Sequence, residues 1–210
     1  HVDATNNRVG IGTASPDARL HVSTTGSGLQ PVAWLNNSQA VAADVGSALT
    51  FTGTTNDNGL ARLSGHFEGS ATTDGGYMRL DTRAVTSGTL TERMRIDSSG
   101  RVGIGTSSPN TTYKAHIKNS TYGVLRLETT LTGADGAYLD FMHDSSSPAD
   151  NDQLGSIGFK GKNSGDEETT FARINCYAGD VTDATEDGYL NFQTRADGAI
   201  DERMRLDSSG

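Results

Sequence analysis

One junction, present more than once, constrains the chain more than any other feature of its sequence. Glu92-Arg93-Met94-Arg95-Ile96-Asp97-Ser98-Ser99-Gly100 returns as Glu202-Arg203-Met204-Arg205-Leu206-Asp207-Ser208-Ser209-Gly210. The segment that follows the first copy, Arg101-Val102-Gly103-Ile104-Gly105-Thr106, is anticipated by Arg8-Val9-Gly10-Ile11-Gly12-Thr13. A chain built this way is a tandem array. Its expected divisions are 1–7, the end of a preceding junction, then a first β repeat at 8–100 and a second at 101–210. In the diverged first junction Val2-Asp3 stands where Ile96-Asp97 stands, and Asn6-Asn7 replaces the turn glycine with residues that tolerate the left-handed region.

The junction has a direct physical reading. Met94 and Ile96 alternate with Arg93, Arg95 and Asp97, the period of a strand with one wet face. Asp97-Ser98-Ser99-Gly100 offers a side-chain acceptor at the start of a type I turn and a glycine where φ must become positive. A hairpin ending in a glycine bulge is predicted. Gly103 and Gly105 strip side chains from one face of the next strand, which predicts close approach of another backbone, such as a second copy of the same strand.

Between junctions the repeats match piece by piece. Thr13-Ala14-Ser15-Pro16 and Thr106-Ser107-Ser108-Pro109 are corners at strand ends, followed by short strands Leu20-His21-Val22 and Ala115-His116-Ile117. Segments 31–37 and 123–129 correspond, and further candidate strands lie at 48–51 in the first repeat and at 137–142 and 155–160 in the second. Segments 61–67 and 172–177, then 76–83 and 188–195, bring the repeats back together, with turns at Ser87-Gly88 and Asp197-Gly198. The second repeat spans 110 residues from Arg101 to Gly210, against 93 from Arg8 to Gly100, so one more strand and loop is expected there. No stretch carries a period of 3.6. An all-β fold of two tandem antiparallel modules joined by hairpin junctions follows, with about six to eight strands per repeat.

Leu, Ile, Val and Phe make up only 38 of the 210 residues, below the roughly 20% at which a charged chain begins to look disordered. Ordered alternation points the other way. Both hold if each repeat has a thin core completed by neighbours, along the chain or from other chains. The formal charge of -9 disfavours nonspecific binding to nucleic acid, and no apolar run approaches the roughly 18 residues of a membrane span. The single Cys176 permits no intrachain disulfide and reads as an inert strand cysteine on the face opposite Ile174.

The motif running from Glu92 through Thr106 to Ser108-Pro109, together with Asp187 to Thr194 and Asp197-Gly198, closely resembles a repeat of tail-fibre and related appendage proteins of tailed bacteriophages. The likeness is strong at the junctions and weak between them. It implies an elongated parallel homotrimeric fibre, extracellular, on a virion appendage, that supports or mediates attachment to a host surface and performs no catalysis. Partners implied are the chain itself and a host cell-surface glycan, with neither nucleic acid nor membrane insertion. Two alternatives stand beside it. One is a homopolymeric or cell-surface adhesive filament completed by strand exchange; the other is a glycan-depolymerising appendage.

No residue is assigned as catalytic, cofactor-binding or metal-binding, and no cofactor is expected. Gly10-Ile11-Gly12-Thr13 lacks the third glycine, the lysine and the helix of a phosphate loop. His21 and His116, at equivalent positions, could meet in three copies around a metal, but each strand offers one ligand. The acidic groups Asp144, Asp150 and Asp152, then Asp166, Glu167 and Glu168, then Asp180, Asp183, Glu186 and Asp187 lack calcium-loop spacing and read as solvated loops. Arg93, Arg95, Arg203 and Arg205 form a basic stripe expected to meet carboxylates such as Glu92 or Asp97 of neighbouring chains. Trp34 and Tyr122 are the candidates for a sugar platform, with a core role favoured for Trp34.

Overall fold

The structure, a computed structural model, describes residues 1–23, 35–37, 39–40, 42–52, 59–70, 75–85 and 88–210. Among these there are strands and turns but no helix. The chain divides into two compact units, His1–Arg126 and Leu127–Gly210. The first holds β1 (Val2–Asp3), β2 (Arg8–Ile11) and β3 (Leu20–Val22) in one sheet. A second sheet runs in order through β4 (Gly46–Thr52), β5 (Gly59–Phe67), β6 (Gly76–Arg83), β7 (Leu90–Ile96), β8 (Val102–Ile104) and β9 (Ala115–Ile117). The second unit is a four-stranded antiparallel meander of β10 (Gln153–Lys162), β11 (Glu168–Asp180), β12 (Asp187–Ala196) and β13 (Ala199–Leu206).

The junction hairpin forms as its residues dictate. Gly100 adopts φ 69° and its amide donates to the Asp97 carbonyl at 2.9 Å, while the Asp97 amide donates to the Arg101 carbonyl at 3.1 Å. This is a type I turn closed by a left-handed glycine, the bulge expected from the sequence. In the first junction Asn7 takes the left-handed position at φ 54°. The β12–β13 turn uses Asp197 at φ 49° and Gly198 at φ 83°, both left-handed as a two-residue type I′ hairpin requires.

The all-β fold of antiparallel sheets is present as expected, with the short β2–β3 and β8–β9 pairs parallel within it. Other expectations are corrected. The backbone that approaches the glycines belongs to this same chain. A Cβ on Gly105 would sit 2.2 Å from the Lys118 carbonyl oxygen, and one on Gly12 1.9 Å from that of Ser23. Both glycines have positive φ, 71° and 75°. Gly103 instead makes room for the returning corner, because a Cβ there would meet the Thr106 carbonyl oxygen at 2.7 Å and Pro109 at 3.0 Å. The motif thus stacks a strand, a proline corner and a parallel return within one short stretch.

Residues 123–129 and 137–142 alternate as strands do but lie outside any strand. Each repeat contributes six strands among the described residues, so the additional length of the second goes into an irregular stretch rather than another strand. Segment 31–34, Trp34 included, and Ser87 lie outside the described residues.

A further departure concerns the junction strand. The register passes from Leu80–Met94 to Asp81–Glu92, leaving Arg93 without a partner, and from Phe192–Met204 to Gln193–Glu202, leaving Arg203 without one. Both copies therefore carry a β-bulge at the same arginine. The bulge places Glu92 on the face of Arg95, and Glu202 on that of Arg205, and so splits the stripe read from the sequence.

Candidate functional site

The register aligns two faces position by position in the two units. On the polar face His66 opposes Tyr77 as Tyr177 opposes Tyr189, Ser64 opposes Arg79 as Asn175 opposes Asn191, and Asp81 opposes Glu92 as Gln193 opposes Glu202. Alternation along β5, β6 and β7, corrected for the bulge, delivers these side chains to one side.

In the first unit this face is ionic. The Asp81 carboxylate, 2% exposed, accepts from Arg62 at 2.8 Å and pairs with Arg79 at 3.0 Å. Glu92 receives two guanidinium bonds from Arg95, both 2.9 Å, and those bonds hold the Arg95 pKa above its ordinary value. The Arg95 guanidinium lies 3.9 Å over the Tyr77 ring, which stacks on His66 at 4.9 Å. Burial, then the hydrogen bond to the Asp44 carboxylate and its charge, push the Tyr77 phenol up to about 12. The carboxylates expected to pair with the arginines between chains are thus met within the chain.

In the second unit the same places are filled by amides. Gln153 and Ser156 donate to Asn175 Oδ1 at 3.1 and 2.7 Å, Asn175 donates to Asn191 Oδ1 at 2.8 Å, and Asn191 donates to Glu202 at 2.9 Å. Arg205 closes the chain with bonds of 3.0 and 2.9 Å to Glu202 and covers Tyr189 at 4.3 Å. The Arg205 and Asn191 bonds hold the Glu202 carboxyl below its usual range. Asn175 and Asn191 are buried and fully engaged, which satisfies a costly pair of groups.

The opposite face is apolar and uncovered. In the first unit it carries Leu49, Leu63, Leu80 and Met78, and in the second Ile157, Phe159, Leu190 and Met204, each more than a third exposed. Beside the corner Pro16, the buried hydrophobic residues among those described are Tyr77 and Ala178. The usual order is inverted, with the polar side chains packed and the apolar ones open. The chain exposes 15615 Å². Two separate compact bodies of these sizes would expose about 11,000 Å².

On each apolar face a groove forms at the equivalent place. One of about 660 Å³ lies between Leu35 and the Leu49, Leu63 and Met78 side of the first sheet. The other, of about 710 Å³, lies between Leu139, Phe141 and the Ile157, Ile174 and Leu190 side of the second. Cys176 lines it together with Ile174, so the two residues share a face, contrary to expectation; residues two apart on an unbulged strand must do so.

The remaining candidates have local duties. His21 and His116 accept the amides of Asp17 and Asn110 through Nδ1, each at 3.2 Å, and so fasten the two proline corners. Asp150 and Asp152 accept the amides of Val181 and Ala149, Asp166 and Glu168 pair with Lys162 and Lys160, and Asp180 accepts the Thr182 amide. Among the described residues no three His, Cys, Asp or Glu side chains are grouped to hold a metal ion. Tyr122 is fully exposed. The two aligned polar ladders went unread in the sequence, although Tyr77-Met78-Arg79-Leu80-Asp81 and Tyr189-Leu190-Asn191 carry their alternation.

The fold defined by these sheets is that of a phage tail-fibre domain. The chain superposes on the carboxy-terminal domain of the bacteriophage T5 L-shaped tail fibre with a TM-score of 0.67 at 15% identity, covering 96% of this chain and 88% of that one. A second structure, the same domain with its intramolecular chaperone domain, gives 0.68 at 13% identity over 90% of this chain and 60% of that one. The chain therefore spans less than two thirds of that longer structure, and the likeness is one of fold. No protein-family model matches the sequence, and no curated protein does.

Proposed function

We propose that this chain is a structural segment of an extracellular phage tail fibre, assembled as a homotrimer, that supports or mediates attachment to a host surface without catalysis. The observation that carries the reading is the apolar face left open in both units at matching positions. An excess of about 4,600 Å² over two compact bodies is of the size that obligate subunit interfaces bury. Three copies of such a face turned toward a common axis would supply the interior that one chain lacks, and the tail-fibre fold of the T5 structures supports the same reading. Host contact would draw on exposed loops multiplied over copies, with a cell-surface glycan as the partner.

Sedimentation equilibrium tests this. A mass three times 22.0 kDa, unchanged on dilution, is expected. A particle of one chain mass refutes the reading, and open-ended growth with concentration replaces it with a homopolymeric filament.

A further inference from the structure

We propose that residues 137–142 form a donated strand, which in the assembly pairs along the outer edge of a sister subunit's β10. The inference rests on the homo-oligomeric reading above and adds which segment crosses between subunits and where it lands.

The donor is visible in its pattern. Ala137, Leu139 and Phe141 alternate with Tyr138, Asp140 and Met142, the period of a half-buried strand. Yet Tyr138 is 73%, Leu139 60% and Met142 82% exposed. Among the described residues no backbone hydrogen bond reaches this segment. A strand pattern without a ladder inside its own chain, and covered there on one side only, has backbone groups to offer a partner elsewhere.

In this chain the segment is not paired with its own β10, and the connection runs elsewhere. The Asn151 amide donates to the Ala178 carbonyl at 2.6 Å, the Ala178 amide to the Asp152 carbonyl at 3.0 Å, and the Val181 amide to the Asp150 carboxylate at 3.0 Å. These bonds tie the loop to the end of β11. The segment is thereby carried across the sheet face, where Phe141 packs so close to Gly155 that a Cβ there would lie 2.8 Å away. Its lateral donors and acceptors are left to another chain.

The acceptor follows from the two edges of the four-stranded sheet. The β13 edge is the equivalent of the β7 edge, which in the first unit is taken by the junction strand β8 of the same chain. The β10 edge is uncharged from Gln153 to Phe159, and its lysines come only at 160 and 162. It is the open template for an added strand. Each subunit then gives one strand and receives one, a head-to-tail exchange that closes on a rotation axis.

The test places p-benzoylphenylalanine at the exposed Tyr138 in a chain otherwise intact, and irradiates particles assembled from mixed light and 15N-labelled subunits. The expected adduct joins light to heavy chains, with the cross-link mapped to residues 153–159. In the unsubstituted assembly the amides of 138–142 should exchange on the order of tenfold or more slowly than in an unstructured peptide. Adducts confined to one chain, or unprotected amides in a particle of proven trimer mass, overturn the donated strand and leave the trimer standing. A single-chain mass before irradiation overturns both.

Discussion

Removing the Asp97 carboxylate tests how much of the fold its junction turn sustains. The side chain, 4% exposed, accepts from the Ser99 amide at 3.0 Å, the Arg101 amide at 2.9 Å and Arg101 Nε at 2.7 Å. Burial opposes its ionisation, but the Arg101 amide and guanidinium and the Ser99 amide outweigh burial and lower its pKa. Hydrogen bonds to a charged group contribute about 1.5–3 kcal/mol each and are not additive here, since all three share one acceptor. Asp97→Ala is therefore expected to cost about 3 kcal/mol, seen as a fall in midpoint of about 6–12 °C for a chain of this size. Thermal unfolding followed by circular dichroism at one fixed protein concentration reads it, because assembly makes the midpoint concentration-dependent. Asp97→Asn keeps an acceptor for the two amides and loses the charge, so it should fall between. The depressed pKa sets the acid response: the contribution of Asp97 is present above the unfolded carboxyl value of about 3.9 and is lost as pH falls through the lower folded value. The alanine variant should lack that part of the acid limb. A change under about 0.5 kcal/mol, or an alanine variant with an unaltered acid limb, would refute the account of the turn.

Gly105→Ala should destabilise more than Gly100→Ala in urea titrations. Both residues have positive φ, costing about 1–2 kcal/mol for any side chain, but only Gly105 faces a carbonyl, that of Lys118. For Tyr77, whose phenol is pushed up to about 12, the stabilisation is full below the unfolded value near 10 and vanishes as pH rises through the folded one. Alkaline unfolding of Tyr77→Phe should lose this component, and an unchanged alkaline limb would count against the Asp44 contact. Ile157→Asp sets a carboxylate in the middle of the open apolar face of the second unit. Light scattering should then report loss of the trimer, and an intact trimer would mean that this face is not buried between subunits.

Much of the fold was legible because local chemistry settles it. Asp97 and Gly100 name their turn, Asp197-Gly198 names another, and Met94 and Ile96 name a face. The parallel returns were hidden by their brevity: only residues 12–19 and 105–114 separate the paired strands, against the dozen or more that usually span a parallel crossover. The bulges at Arg93 and Arg203 were hidden because Glu-Arg-Met-Arg still alternates to the eye while the partner strand advances by one. Period two reports which side chains share a face and says nothing about what the backbone pairs with, which is why 137–142 read as a strand of its own sheet. The polar ladder escaped because aligning 76–83 with 188–195 equates Arg79 with Asn191 and Asp81 with Gln193, pairs that share no chemistry, and only the register shows which residues stand across from them.

That equivalence bears on how an array of such modules responds to its surroundings. The ladder of the first unit is built on full charges and that of the second largely on neutral carboxamides, on the same backbone grid. Brine and acid weaken the former and leave carboxamide bonds nearly untouched. Successive modules can thus differ in environmental tolerance while remaining geometrically interchangeable, and durability along the array becomes a matter of which rungs are ionised.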